Sequence, residues 1–150
     1  MVKFVVKSGI AQLDLFNGKN FPFYEAHIRC DDDLQKLLDT NMKLVSIHMP
    51  SMVETSSGKK AVNFCDVGEI GDASFLFLEK VIDFCEKYNI PHIIIHLGFY
   101  DSLIEDRWQI LKKTAQRFEQ YTSRNVKLCL ENVPCWTNIC FENEPILSEV

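Results

Sequence analysis

The sequence predicts an α/β fold in which parallel strands form a sheet with helices packed outside it, and three observations predict it. From about Phe23 onward, short apolar runs alternate with longer amphipathic segments, the pattern of successive βαβ units. The run Ile93-Ile94-Ile95 is that of a strand covered on both faces. The composition, 47% hydrophobic and 25% charged over 150 residues, is that of an ordinary globular chain. A chain this long buries roughly two-thirds of the surface it exposes when unfolded, so one domain is expected rather than two. That domain spans 1–150, with an N-terminal strand and hairpin over 1–22 and the α/β body over 23–150.

The elements follow in order. Val2, Phe4 and Val6 alternate with polar and small residues, and Asn17-Gly18 between Leu13-Asp14-Leu15-Phe16 and Phe21 is a hairpin signal. Strands are expected at Phe23 to Ile28, Leu44 to Met49, His92 to Leu97 and Val126 to Leu130. A first helix from about Asp32 to Thr40 carries Leu34, Leu37 and Leu38 on one face and Asp31-Asp32-Asp33 at its positive end, with Asn41 as a left-handed stop. A second, from Asp72 to about Tyr88, places Phe75, Leu78, Ile82 and Cys85 on one stripe and ends at Asn89 before Ile90-Pro91. The third opens on the capping box Ser102-x-x-Glu105 and repeats Ile104, Trp108, Leu111, Ala115 and Phe118 at helical steps. Ser51 to Gly71 is expected to be a long polar connection, and Gly68-x-x-Gly71 a turn before an Asp72 cap.

A net charge of −5 provides no overall positive field, which disfavours non-specific binding to nucleic acid or anionic membranes. The six cysteines form neither a C-x-x-C nor a paired ladder, and Cys85 and Cys129 fall in apolar runs. A reducing, cytoplasmic setting is therefore expected, with no disulfide framework. Neither a membrane-spanning run nor a signal peptide is expected in the chain.

Three of the four candidate strands end in a residue able to bind metal or move protons: His48, His96 and Glu131. In a parallel α/β sheet the carboxyl ends of the strands share one edge, so side chains distant in sequence converge there. Two imidazoles and a carboxylate are also the ligand set of a catalytic divalent site with a position left for substrate. His27 and Glu25, at the end of the first strand of the body, are candidates to support that site. His92 sits at a strand start and is read as structural. Cys135-x4-Cys140 lacks a second pair for zinc, and Lys112-Lys113 is read as a solvated face. Lys59-Lys60, in the connection after His48, could meet a substrate phosphate.

At these residues the sequence resembles the xylose isomerase-like TIM-barrel superfamily, which includes sugar-phosphate isomerases and epimerases and the endonuclease IV type of apurinic-site nuclease (AP endonuclease family 2). Val45-Ser46-Ile47-His48-Met49-Pro50, Ile93-Ile94-Ile95-His96-Leu97-Gly98 and Leu128-Cys129-Leu130-Glu131-Asn132 look like the family's third-, fourth- and fifth-strand motifs, covering roughly Phe23 to Pro134. The resemblance implies a partial (β/α) barrel, with Glu131 as a ligand of Zn, Mn or Mg. His48 and His96 would be ligands in the nuclease branch and substrate-site residues in many isomerases. A complete barrel needs about 250 residues, so either the chain is a fragment or a second subunit or chain covers its open sheet edge. Val133-Pro134-Cys135-Trp136 lacks the glycine-rich continuation of the nuclease branch, which favours a small sugar or sugar phosphate as substrate over nucleic acid. The expected function is metal-dependent isomerisation or epimerisation, inactive if the barrel is truncated; the alternatives are a zinc-dependent apurinic-site endonuclease and a non-catalytic half-barrel assembly module.

Overall fold

A computed structural model describes residues 5–9, 23–40, 42–101, 107–131 and 143–145. Its main sheet contains β1 (Val5–Gly9), β2 (Phe23–His27), β3 (Leu44–His48), β6 (His92–Ile95) and β8 (Lys127–Leu130), in the order β1-β2-β3-β6-β8. Two hairpin strands, β4 (Met52–Thr55) and β5 (Gly58–Ala61), pair with each other, as do β7 (Phe99–Asp101) and β9 (Asn143–Pro145). The helices are α1 (Asp31–Leu38), α2 (Glu69–Lys87) and α3 (Arg107–Glu119). β1 to β2, β2 to β3 and β3 to β6 are all parallel. Each main-sheet strand lies beside its predecessor, the order of a barrel and not of a doubly wound sheet.

The chain divides into two compact units. The first, Met1–Ser51, Leu78–Ile95 and Asn125–Cys129, contains the main sheet and the second half of α2. Strand alternation sends Ala26, Ile47, Ile93 and Ile95 to a fully buried face, and Leu78, Val81, Ile82 and Cys85 of α2 are buried as completely. The expected α2 stripe is thus borne out, although Ile94 is only half-buried, so β6 is fully covered on one face. Burial pushes the Cys85 thiol up to about 12, helped by the neighbouring Glu86, which leaves it inert at neutral pH. Asn89 stops α2 in the left-handed conformation (φ 56°), with Asn89 N–H donating to Glu86 O and Ile90 N–H to Cys85 O.

The second unit comprises Met52–Phe77, His96–Arg124 and Leu130–Val150. Phe64, Phe75, Phe118 and Tyr121 form an aromatic cluster, with Phe64 and Phe75 edge to face at 5.0 Å. Cys65 packs beside Leu97, Ile110 and Leu111, and burial pushes its thiol up to about 11, against the lowering effect of a hydrogen bond with Thr114.

Four expectations change. The connection from Ser51 to Gly71 is not a plain loop: Met52–Thr55 and Gly58–Ala61 pair antiparallel about Ser56-Ser57, with Gly58 at φ 96°. The strands are too short and lysine-rich to show apolar alternation. Second, α2 begins at Glu69 rather than Asp72, because Asp66 accepts hydrogen bonds from Gly68 N–H (2.9 Å) and Gly71 N–H (3.0 Å). Gly71 is therefore inside the helix, where a Cβ would lie 1.9 Å from Asp66 O. Third, the buried face of α3 is turned by about one residue from the expected stripe: Thr114 is buried, Ile110, Leu111 and Phe118 are half-buried, while Ala115 is exposed and Trp108 68% exposed. Fourth, the N-terminal segment, expected as a strand and hairpin, places Val5–Gly9 in the main sheet parallel to β2, with Val5 opposite Phe23. The Asn17-Gly18 hairpin, the Asn41 stop, the Ser102 capping box and Cys135-x4-Cys140 lie outside the described residues.

Candidate functional site at the carboxyl ends of the strands

In the first unit, parallel register places Glu25 opposite Ser46 and His27 opposite His48. Residues two apart on a strand share a face, so these four polar side chains stand together while Ala26 and Ile47 face the core. The His27 and His48 rings stack, with centroids 4.1 Å apart and planes inclined by 15°. Ser46 Oγ donates to Glu25 Oε2 at 2.8 Å, and Glu25 Oε1 lies 3.5 Å from His27 Nε2. His48 is buried, and its Nδ1 lies 2.9 Å from Met49 O. A carbonyl oxygen only accepts, so Nδ1 carries the proton and Nε2 of the neutral ring carries the lone pair.

In the second unit, His96 follows β6 and Glu131 follows β8, and His96 Nε2 lies 3.2 Å from Glu131 Oε2. Their side chains are 37% and 42% exposed, reachable by a small solute. The backbone beyond His96 is tightly determined. Gly98 has φ 102°, and a Cβ there would lie 2.4 Å from Asn63 Oδ1 and 2.7 Å from Asn63 Cα. Phe64 N–H donates to Leu97 O at 2.9 Å, Cys65 N–H to Asn63 Oδ1 at 3.0 Å, and Asn63 N–H to Ser74 Oγ at 3.0 Å. The glycine of His96-x-Gly98 is thus a close-approach position for Asn63, and that glycine was the available sequence signal for a supporting residue that periodicity does not reveal.

Of the predicted site residues, the structure brings His96 and Glu131 together and sets His48 against His27. His92 plays a structural part, its Nδ1 donating to Val45 O at 3.0 Å. Lys59 lies 3.6 Å from Glu54 on the exposed hairpin. Cys30, Cys65, Cys85 and Cys129 are free thiols. Among the described residues no helix is long and apolar enough to cross a membrane.

No family model and no curated protein matches the chain. Among solved structures it is similar to a D-tagatose 3-epimerase-like protein, with a TM-score of 0.59 at 15% identity over 90% of this chain and 54% of that one. It is also similar to a xylose isomerase domain protein from Planctomyces limnophilus, with a TM-score of 0.58 at 14% identity over 85% of this chain and 51% of that one. The fold is that of a partial α/β barrel. The chain spans about half the length of the structures it matches, and at these identities the likeness is one of fold. It bears out the α/β class expected from the strand and helix rhythm.

Proposed function

We propose that this chain is the metal-binding part of a sugar or sugar-phosphate isomerase or epimerase, with His48, His96 and Glu131 holding a divalent cation. The observation that carries the reading is the His96–Glu131 pair, a nitrogen and a carboxylate oxygen 3.2 Å apart just past two neighbouring strands. Two atoms each about 2.1 Å from one tetrahedral ion stand roughly 3.4 Å apart, so the pair fits a shared cation. Strand order supports His48 as the third member. β3 is the hydrogen-bonded neighbour of β6, His48 is level with Ile94, and His96 has the same strand parity as Ile94. The Nδ1–H···O bond to Met49 leaves the His48 lone pair on Nε2, the protonation a ligand requires. Two nitrogens and one oxygen suit Zn or Mn better than Mg.

When bound, such an ion would polarise a carbonyl or hydroxyl oxygen of the sugar. The chain's own residues would bind and orient: the half-exposed Glu131 carboxylate accepts from a sugar hydroxyl, and buried His48 presents a fixed nitrogen. The two structural neighbours, a D-tagatose 3-epimerase-like protein and a xylose isomerase domain protein, support a sugar substrate. The same reading assigns β1 and β8, the ends of the described sheet order, to a cover supplied by further barrel strands or a second copy of the chain, since a bare parallel edge invites pairing. Four free thiols support a reducing, cytoplasmic setting.

Elemental analysis of purified protein tests the proposal. About one equivalent of Zn or Mn is expected in the wild type, with loss in both His96→Ala and Glu131→Gln, and metal-dependent exchange of the carbon-bound hydrogen beside a ketose carbonyl in D2O. Wild-type protein that takes up neither metal when supplied would end the reading, and incision of abasic duplex DNA without sugar exchange would move it to the nuclease branch.

A further inference from the structure

The stacked His27–His48 pair has a tether that simple packing does not require. At the level of His27 and His48 the opposite strand face is filled by apolar side chains, Ala26 and Ile47, both fully buried. On the polar face, however, His27 is 3.5 Å from Glu25, and the other Glu25 oxygen accepts from Ser46 at 2.8 Å. Glu25 is thus anchored by the Ser46 hydroxyl across the strand pair. His48 has the complementary arrangement: one ring atom is anchored to Met49 O, which still permits the ring to rock about that anchor.

We propose that His27 is a positioning residue, its ring a plate against which the His48 imidazole lies with Nε2 presented for a ligand. The inference rests on the reading of His48 as a metal ligand and names what orients it. Stacking at 4.1 Å and 15° removes the rocking that the Met49 bond leaves, because a tilt would drive one edge of the His48 ring into His27. Interactions that orient a ligand in this manner are worth about 10- to 100-fold in metal affinity.

Long-range nitrogen–proton correlation spectra of the histidine rings at about pH 8, above the ordinary imidazole range, test the idea alongside Zn²⁺ titration by competition with a chelator. The wild type is expected to show His48 as a single Nδ1–H tautomer. His27→Phe keeps a flat ring and is expected to keep both that tautomer and Zn²⁺ affinity within about threefold. His27→Ala and His27→Gln, the second retaining a donor for Glu25 without a ring, are expected to mix the two tautomers and to weaken Zn²⁺ binding about 10- to 100-fold. Denaturant midpoints establish that each variant is folded; if His27→Ala is not, the comparison of Phe with Gln decides. A Gln variant that matches wild type in tautomer and affinity would overturn the proposal. Absence of Zn²⁺ binding in the wild type itself would remove the ligand reading, while the tautomer comparison would still decide whether His27 orients His48.

Discussion

The carboxyl end of β3 and the segments that follow β6 and β8 carry similar residue types but hold them by different means. Around His48, strand register sets the level of each side chain, a stack fixes the ring, and the imidazole is buried. Around His96 and Glu131 the residues lie past the strand ends and are more than a third exposed, and the backbone that follows His96 is fixed by a tight loop at Gly98. The first arrangement is set by folding alone. The second is a pair of polar groups in contact with solvent, His96 Nε2 and Glu131 Oε2 lying 3.2 Å apart.

The largest effect should come from the loop. Gly98→Ala must accept a left-handed φ, costing about 1–2 kcal/mol, and push a methyl against Asn63 Cα, costing about 1–3 kcal/mol more. A total of about 3 kcal/mol, read from chemical denaturation, is expected. Gly58→Ala separates the two contributions, since Gly58 has φ 96° and nothing within 4 Å of the added Cβ. Its loss should be the strain alone. If both glycines cost the same, Asn63 yields readily and the loop is not the firm support for His96 described above.

A second effect, of about 2 kcal/mol, is expected at the rigid end. The turn after His27 is locked by Asp33, which is fully buried and accepts from Arg29 N–H (3.0 Å), Arg29 Nε (3.1 Å) and Lys36 Nζ (3.3 Å). Burial alone would push its carboxyl up, but the bonds from Arg29 and Lys36 outweigh it and hold the group below 3.8. A depressed folded-state value stabilises the fold above the unfolded one, and that contribution is lost as pH falls through the folded value. Wild type should therefore lose stability steeply below about pH 4. Asp33→Asn should start less stable at neutral pH and show a shallower acid limb; an unchanged limb would show that Asp33 does not lock the turn beside the histidine pair.

Much of this was legible in the sequence, and what was not has a common cause. The strands around Ala26, Ile47 and Ile93 and the α2 stripe through Leu78 and Ile82 follow from periodicity, because each element buries one face. Asn89 as a stop follows from local backbone preference. The strand-end residues His48, His96 and Glu131 could be picked out because barrel topology sends carboxyl ends to one edge. By contrast, the start of α2 depends on Asp66 reaching N–H groups two and five residues on, and the close approach at Gly98 depends on Asn63, 35 positions earlier in the sequence. The buried face of α3 depends on which side Phe64 and Phe75 occupy, so Trp108 fits a helical repeat and still ends in solvent.

The smallest expected effect decides most directly between the two kinds of support. An exposed polar pair contributes about 0.5 kcal/mol, since solvent competes for both partners and both side chains lose freedom in making it. A double-mutant cycle on His96→Ala and Glu131→Gln, measured by denaturation in chelator, should give a coupling of that size. Repeated with Zn²⁺ present, the same cycle should give a much larger coupling, because each residue then matters only while the other completes the site. A coupling that is already large in chelator would mean that the His96–Glu131 contact is a structural bond in its own right. The contrast with the His27–His48 stack would then disappear, and with it the reason for expecting a ligand between the two side chains.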